Sequence, residues 1–481
     1  MNPLEIVGFA HDTGWIVLLK VLFVFVFLLV ITIFNVWFER RLVGKMQHRL
    51  GPIMNGPLGL AQAVADGAKL IFKEDFRPAG TDRWVFTLAP LLTGVAAFVT
   101  WSIIPLAGEV PVPYYNWGGG YWETFYTRLQ LTDLPVSVLL YLAIASIGIY
   151  GIVLGGWASS SQYSLLGGIR STAQMISYEI SMGLSLVAVF LYAQSMSTSE
   201  IVERQAGPIL PQLPLIGPMQ IPGWYALLLA PSCAIYVMAM VAECNRAPFD
   251  LVECEQELVS GFITDYSGFR YAIYFLAEYI NMATVSAVAT TLFFGGYRAP
   301  WPVPALIAAY PQYLDWLDHG WMGLAWFVIK VLLFIALFVW LRGTLPRLRY
   351  DQLMNLGWKW LIPISLGWIV LVSVTRYFQI HRPGGLVMLL PLLGLMFFGS
   401  LVWYVIERHR EMIDPDPDDD RQESRPLDCQ PGEFDPFAGG YPVPPLPGQV
   451  IPELVGVVRG AAVDQRGPVE QEAGMPEEER G

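Results

Sequence analysis

Cysteine is scarce in this chain of 481 residues and occurs at only four positions: Cys233, Cys244, Cys254 and Cys429. No two of them form a CxxC pair, and none has a histidine nearby at the spacing of metal ligands. The sequence therefore predicts neither a disulfide framework nor a metal site.

Glycine-rich nucleotide-binding loops are missing as well. The chain contains no GxGxxG after a strand pattern and no GxxxxGK[ST], the motifs whose backbone N–H groups hold nucleotide phosphates. Any redox cofactor used with this chain must therefore sit in other chains, and we expect no nucleic-acid partner.

Charge is limited too, because charged residues make up 15% of the chain and hydrophobic residues 54%. The apolar run 15–38 is long enough to cross a bilayer and too long for the core of a signal peptide. We therefore predict an all-α fold, a polytopic membrane helix bundle. The predicted spans are 15–38, 84–105, 134–157, 173–194, 224–243, 271–295, 321–342, 358–376 and 385–406.

Basic residues are concentrated in the loop after the first span. They are Arg40, Arg41, Lys45, Arg49, Lys69, Lys73, Arg77 and Arg83. The positive-inside rule places this loop in the cytoplasm, the N-terminus outside and the C-terminal tail in the cytoplasm. The tail, 407–481, has 18 acidic and 7 basic residues and 12 prolines, a composition that predicts disorder.

Carboxylates crowd the segment 243–278, which has only two basic residues, Arg246 and Arg270. The acidic residues are Glu243, Asp250, Glu253, Glu255, Glu257, Asp265 and Glu278. Carboxylates at or in a membrane are costly to ionise, so they mark a proton or ion route, a cation site or a docking surface. A helix capping box would explain Asp250 and Glu253 alone.

Three glutamates and a lysine fall in or at the ends of predicted spans: Glu179, Glu243, Glu278 and Lys330. A single glutamate in a membrane can be a neutral, hydrogen-bonded structural residue. Several on different helices are typical of a proton relay.

Segment 44–75 contains an apolar stripe that suits an amphipathic helix at the membrane interface. Asp66 and Lys69 share one face of that helix. Two interpretations stay open: a surface ion pair, or a helix that roofs an opening for an amphipathic ligand.

The chain resembles one family in several long blocks: GKMQHRLGP, LAQAVADGAKLIFKE, RSTAQMISYEISMGLSL, ECNRAPFDLVECEQELVSG, LAEYINM and RGTLPRLRYDQLM. The family is the quinone-chamber membrane subunit of respiratory complex I, NADH:quinone oxidoreductase, known in bacteria as its H subunit. The resemblance runs from about residue 15 to residue 376. It implies an eight-helix core, 1–376, in a bacterial plasma membrane, with 385–406 as an extra span.

The resemblance also implies site residues and partners. The quinone, ubiquinone or menaquinone, would bind at Glu39, Arg40, Asp66, Arg246, Phe249 and Asp250. A proton path would use Glu179, Glu243, Glu253, Glu255, Glu257, Asp265 and Glu278, together with Lys330. Other subunits would supply FMN and iron–sulfur clusters, and would contact Arg342, Arg347, Arg349 and Asp351.

Two other functions are a membrane anchor of a related hydrogenase complex and a stand-alone ion transporter. The full quinone-family blocks and the acidic loop argue against the first, and the lack of an inverted repeat argues against the second. The sequence departs from the family at Asp265, where a glutamate is usual, so the side chain is one methylene shorter.

Overall fold

The computed structural model of the chain describes residues 12, 14–116, 121–206, 223–250, 259–304, 307, 310, 315–318, 320–381, 394 and 399. The predicted tail, 407–481, and nearly all of the predicted span 385–406 lie outside these residues. Glu253, Glu255 and Glu257 also lie outside them.

Helices dominate the described residues. They are α1 (Gly14–Met46), α2 (Ala61–Phe72), α3 (Arg83–Val99), α4 (Ser137–Ala158), α5 (Gln162–Ala193), α6 (Thr198–Arg204), α7 (Tyr225–Leu228), α8 (Ala230–Glu243), α9 (Gly268–Phe293), α10 (Met322–Thr344), α11 (Tyr350–Asn355) and α12 (Ile362–His381). A π-helical segment, Leu356–Leu361, joins the last two into one continuous rod.

Seven helical segments of the described part are long and apolar enough to cross a membrane. They contain α1, α3, α4, α5, α9, α10 and the rod formed by α11 and α12, and the shorter apolar helix α8 lies between α5 and α9. The prediction of a polytopic membrane helix bundle is confirmed. The predicted ends were less accurate, because α1 continues to Met46 and α5 begins at Gln162, through polar residues that a helix accommodates outside the apolar layer.

Helix α9 lies at the centre of the bundle and packs against α1, α2, α3, α8 and α10. Its second half, from Ala283 to Phe293, is buried throughout. Helices α3 and α4 pack closely against each other, and a Cβ at Gly151 of α4 would lie 2.0 Å from Oγ1 of Thr93 in α3. Glycine at this position allows that close approach.

A β-hairpin that was not predicted connects α3 to α4. Strand β1 (Ala107–Asn116) pairs antiparallel with β2 (Tyr121–Leu129). The hairpin is tied to the bundle because Arg128 pairs with Glu203 of α6 at 3.1 Å, and Thr127 donates a hydrogen bond to Asp12. Asp12 also forms a buried ion pair with Lys20 of α1.

The helix predicted within 44–75 is present as α2. It lies beside the C-terminal part of α1 and the first part of α9. Its exposed side chains include Val64, Ile71 and Phe72. This helix, the exit of α8 and the end of α10 frame the candidate site.

Candidate functional site

A buried carboxylate, Glu39, lies where the ends of α1 and α10 and the segment after α8 meet. Its side chain forms an ion pair with Arg342, and its Oε1 atom lies 3.3 Å from Nη1 of Arg246. Tyr279 of α9 donates a hydrogen bond of 2.6 Å to the other oxygen, Oε2. We call Glu39, Arg246, Tyr279 and Arg342 the Glu39 cluster.

Arg246 connects this cluster to a second carboxylate. Its Nε atom lies 3.0 Å from Oε1 of Glu278, and its guanidinium carbon lies 4.5 Å from the centre of the Tyr279 ring. Burial alone would lower the pKa of Arg246, but the Glu278 and Glu39 carboxylates raise that pKa well above its usual value. Arg246 therefore remains charged, and a buried charge of this kind is stable only while its partners stay in place.

A cleft of about 1070 Å³ opens beside the Glu39 cluster. Its lining combines charged groups with apolar ones. The lining residues are Glu39, Arg40, Val43, Met46, Gln47, Arg49, Leu50, Gly51, Pro52, Ile53, Met54, Gln62, Arg246, Phe275, Tyr279, Arg342 and Gly343. A cleft with apolar walls and a few polar groups suits a ligand with an apolar body and a polar end.

Asp66 of α2 faces the rim of this cleft. The structure pairs it with Arg40 of α1 at 2.5 Å, and Gln62 donates to its other oxygen at 3.0 Å. Arg40 and Gln62 both line the cleft. The pair is partly exposed, so its role concerns the position of α2 more than the stability of the chain.

An inner cavity of about 90 Å³ lies next to the Arg246–Glu278 pair. Glu243, Asn245 and Glu278 line it, together with small residues of α3 and α4. Glu179 of α5 accepts a hydrogen bond from Ser146 and lies near enough to Glu243 for the two carboxylates to interact electrostatically. The structure thus brings together the predicted residues Glu179, Glu243 and Glu278 from three different helices.

Asp265 lies in the loop before α9, next to Tyr266. The Tyr266 ring is 5.0 Å from the ring of Tyr274, which lines the inner cavity. Burial raises the pKa of Tyr266 to about 12, so its hydroxyl stays protonated. Asp265 therefore lies next to the tyrosine pair and does not itself line the inner cavity.

Phe249 and Asp250, the other two predicted quinone contacts, lie in the segment after α8 and do not line this cleft. Phe249 is 7% exposed and packs against Tyr178 of α5, 5.9 Å between ring centres. Its carbonyl accepts a hydrogen bond from Gln174 at 2.8 Å, which fixes the segment after α8 to α5. Asp250 follows it, half-buried, and neither residue lines the cleft.

Lys330 contacts the backbone just beyond the C-terminal end of α9, whereas Glu278 lies in the first half of that helix. Its ammonium donates hydrogen bonds to the carbonyls of Phe294, Gly296 and Arg298 at 2.6, 2.9 and 2.7 Å. The ammonium satisfies three backbone acceptors in the segment that follows α9, where the helix dipole also favours a cation. The structure does not bring Lys330 to the three glutamates.

The predicted partner contacts divide into two sets. Arg342 belongs to the Glu39 cluster, whereas Arg347 and Arg349 are exposed in the segment between α10 and α11. Arg349 forms an exposed pair with Asp351 at 3.4 Å. In the described part of the chain, no group of three or more metal-binding side chains comes together.

Several residues of the site were missed in the sequence. Tyr279 stands next to Glu278 in LAEYINM, and Asn245 stands between Glu243 and Arg246 in ECNR. Their positions beside acidic residues were the available signal. Ser146, which binds Glu179 from a neighbouring helix, had no signal in the sequence, since only packing brings it there.

Comparison with known proteins identifies the family. The sequence model described as NADH dehydrogenase matches residues 19–373. A protein of Cutibacterium acnes, named as the H subunit of NADH-quinone oxidoreductase, is 51% identical over 471 residues, which cover 97% of this chain and 98% of that protein.

Proteins of the same name occur in two further organisms. That of Streptomyces avermitilis is 44% identical over 93% of this chain and 90% of its own length. That of Frankia alni is 52% identical over 78% of this chain and 76% of its own length. Matches of this extent leave one conclusion: the chain belongs to the NADH dehydrogenase family, as an H subunit of NADH-quinone oxidoreductase, an oxidoreductase complex.

Proposed function

We propose that this chain forms the quinone-binding chamber of a proton-translocating NADH:quinone oxidoreductase and carries an acidic path that couples quinone reduction to proton movement. The observation that carries the proposal is the position of Arg246. This one cation pairs with Glu39 at the cleft and with Glu278 at the inner cavity. The same proposal is favoured over a hydrogenase anchor or a stand-alone transporter by the names of the relatives described above.

The cleft suits a quinone because its walls offer both kinds of contact. Leu50, Ile53 and Phe275 supply apolar surface for a tail, and the Glu39 cluster supplies charges and a hydroxyl for a headgroup. The rim formed by Arg40 and Asp66 would position α2 over the entrance. The quinone is ubiquinone or menaquinone, whose headgroups both present carbonyl oxygens to such donors.

Electrons would come from NADH through FMN and iron–sulfur clusters of partner subunits. The residues of this chain would orient the headgroup and control its protons. A doubly charged reduced quinone is unstable in a chamber of low polarity, so protons must arrive as electrons do. Tyr279 and Arg342 are the described donors nearest to Glu39.

The proton path would begin at the Glu39 cluster and continue through Glu278, Glu243 and Glu179. A change of charge in the cleft would alter how strongly Arg246 holds Glu278, and this would shift the shared proton equilibrium of the glutamates. We include Asp265, Glu253, Glu255 and Glu257 in the proposed path as well. Lys330 is left out of it, because its ammonium lies on the carbonyls that follow α9.

We also propose the orientation and the contacts of the chain. The end of the bundle that carries the Glu39 cluster and α2 would face the cytoplasm of a bacterium, with the N-terminus outside the plasma membrane. Arg347, Arg349 and Asp351 are exposed at this end and would contact iron–sulfur subunits of the peripheral arm. Lipid and other membrane-arm subunits would surround the remaining faces.

Photoaffinity labelling tests the proposed chamber directly. The assembled complex in its native membrane is illuminated with an azidoquinone, and the labelled peptides of this chain are identified by mass spectrometry. We expect label on peptides from 39–54 and 275–279, and loss of that label when excess unlabelled quinone is present. Label confined to the outward faces of α3 and α4, unaffected by competing quinone, would contradict the proposal.

A further inference from the structure

Asn245 occupies a special position between the two carboxylates of the inner cavity. It follows Glu243 by two residues, and its backbone N–H donates to the carbonyl of Ala242 at 3.2 Å, just past the end of α8. Its φ angle is 48°, in the left-handed region that asparagine tolerates better than most residues. This conformation places Asn245 on the wall of the cavity that Glu243 and Glu278 also line.

Only one of the two polar atoms of the Asn245 amide has a hydrogen-bond partner in the protein. Its Nδ2 atom donates to Oγ of Ser171 in α5 at 3.4 Å, and this contact leaves the carbonyl oxygen as the remaining acceptor. That oxygen, Oδ1, is buried and meets no protein donor among the described residues. The same holds for Oε2 of Glu243.

Each of these two buried acceptors in the lining of one cavity requires a hydrogen-bond donor. Burying an acceptor without a hydrogen bond costs about 1–3 kcal/mol, so such atoms in folded proteins are bonded to protein or to water. A buried water needs about 10–15 Å³ of cavity volume, and the inner cavity of about 90 Å³ provides room for several. Water is therefore the donor that fits both oxygens.

We propose that Asn245 is a positioning residue for proton transfer, whose Oδ1 orients the water that joins Glu278 to Glu243. A water that donates one hydrogen to Oδ1 has its other hydrogen free for a Glu243 oxygen. Its lone pairs then face a protonated Glu278. Because the amide does not titrate, Asn245 cannot hold the transferred proton itself. Its role is to orient the water that connects the two glutamates. The inference rests on the proposed function of the acidic path.

Glycine and aspartate substitutions separate this role from a backbone role. Asn245→Gly keeps the left-handed conformation without strain and removes the amide. Asn245→Asp keeps the conformation, the shape and an acceptor oxygen. A residue needed only for its φ angle would tolerate both changes. A residue needed for its acceptor would tolerate only the second.

The measurements use membrane vesicles that contain the whole complex. They are the rate of NADH oxidation with decylubiquinone or a short-chain menaquinone, the rate with ferricyanide as a measure of assembled complex, and the solvent deuterium isotope effect on the quinone-linked rate. Gln194→Gly is the matched control. Like Asn245, Gln194 has a positive φ, 52°, just after the C-terminal end of a helix, in this case α5.

For Asn245→Gly we expect the quinone-linked kcat to fall about tenfold, as loss of one well-placed hydrogen bond allows, with KM and the ferricyanide rate unchanged. The solvent isotope effect should rise, because proton transfer becomes rate-limiting. Asn245→Asp should restore most of the rate, and Gln194→Gly should resemble the wild type.

A wild-type rate and isotope effect in Asn245→Gly would overturn the inference. If that variant fails to assemble, Ser171→Ala decides, since it releases the amide from α5. A raised isotope effect supports the role, and an unchanged one overturns it. Glu278→Gln serves as the reference: if it lowers the rate while Asn245→Gly does not, only the role of Asn245 fails. If Glu278→Gln is itself without effect, the proposed path fails.

Discussion

The Nε atom of Arg246 lies 3.0 Å from Oε1 of Glu278, and this contact joins a residue that lines the cleft to a residue that lines the inner cavity. Arg246 is 6% exposed and is held between carboxylates from α1 and α9. Removing either carboxylate leaves a buried charge without its full complement of partners. In the proposed mechanism, this pairing makes the cleft and the inner cavity dependent on each other.

Arg246→Lys should uncouple the compartments. Lysine presents one compact ammonium and cannot contact both carboxylates with the planar geometry of a guanidinium. We expect the quinone-linked NADH oxidation rate to fall at least about tenfold, equivalent to about 1.4 kcal/mol, while the ferricyanide rate is kept. Arg298→Lys is the matched control, because Arg298 pairs with Asp318 at 3.7 Å beyond the other end of α9. Equal losses in both variants would contradict a specific role for Arg246.

Tyr279→Phe removes the hydroxyl that donates to Glu39 and keeps the ring beneath Arg246. A hydrogen bond to a charged group contributes about 1.5–3 kcal/mol, so we expect a quinone-linked kcat/KM lower by about tenfold or more. The measurement is steady-state kinetics against quinone concentration. Tyr192→Phe, in a half-buried tyrosine that packs against Tyr225, should leave these constants unchanged. Unaltered kinetics in Tyr279→Phe would show that the hydroxyl has no part in the site.

Asp66→Asn should weaken quinone reduction without destabilising the complex. The Arg40–Asp66 pair is partly exposed, and exposed pairs contribute only about 0–1 kcal/mol. We expect a raised KM for quinone, a normal ferricyanide rate and a normal melting temperature of the complex. A proportional loss with both acceptors would indicate defective assembly in place of a defective entrance.

Lys330→Met should affect stability more than coupling. The change leaves three carbonyls in the segment after α9 without the ammonium that binds them, each at a cost of about 1–3 kcal/mol. We expect a lower melting temperature and less assembled complex, but an unchanged number of protons moved per electron in the complexes that remain. A reduced proton-to-electron ratio would contradict this expectation and show that Lys330 takes part in proton transfer.

The fold followed from hydropathy because membrane spans are specified by length and composition. Seven of the first eight predicted spans correspond to described helices long enough to cross a membrane, and the other, 224–243, contains the shorter apolar helix α8. The hairpin of β1 and β2 was missed because it lies between two spans, where hydropathy does not specify the backbone conformation. The only sequence signal for its strands was that they flank the glycine run GGG at 118–120.

The acidic residues of the site could also be predicted, since a carboxylate in an apolar run is conspicuous. Their connections could not. Arg246 lies 207 positions after Glu39, and Arg342 lies 303 positions after it, so only tertiary packing shows that both bind one carboxylate. For Lys330, the sequence indicates a position within an apolar run but not the three carbonyls that its ammonium contacts.

The coupling of electron transfer to proton movement tests the central claim most directly. Quinone-linked NADH oxidation and the number of protons moved per electron are measured together in sealed vesicles for Glu243→Gln and Glu278→Gln, at equal ferricyanide activity. Each change keeps the shape of the side chain and removes its titratable group. We predict that both variants assemble and lose at least nine-tenths of quinone-linked oxidation and of proton movement. Wild-type rates with a wild-type proton-to-electron ratio in both variants would contradict the account.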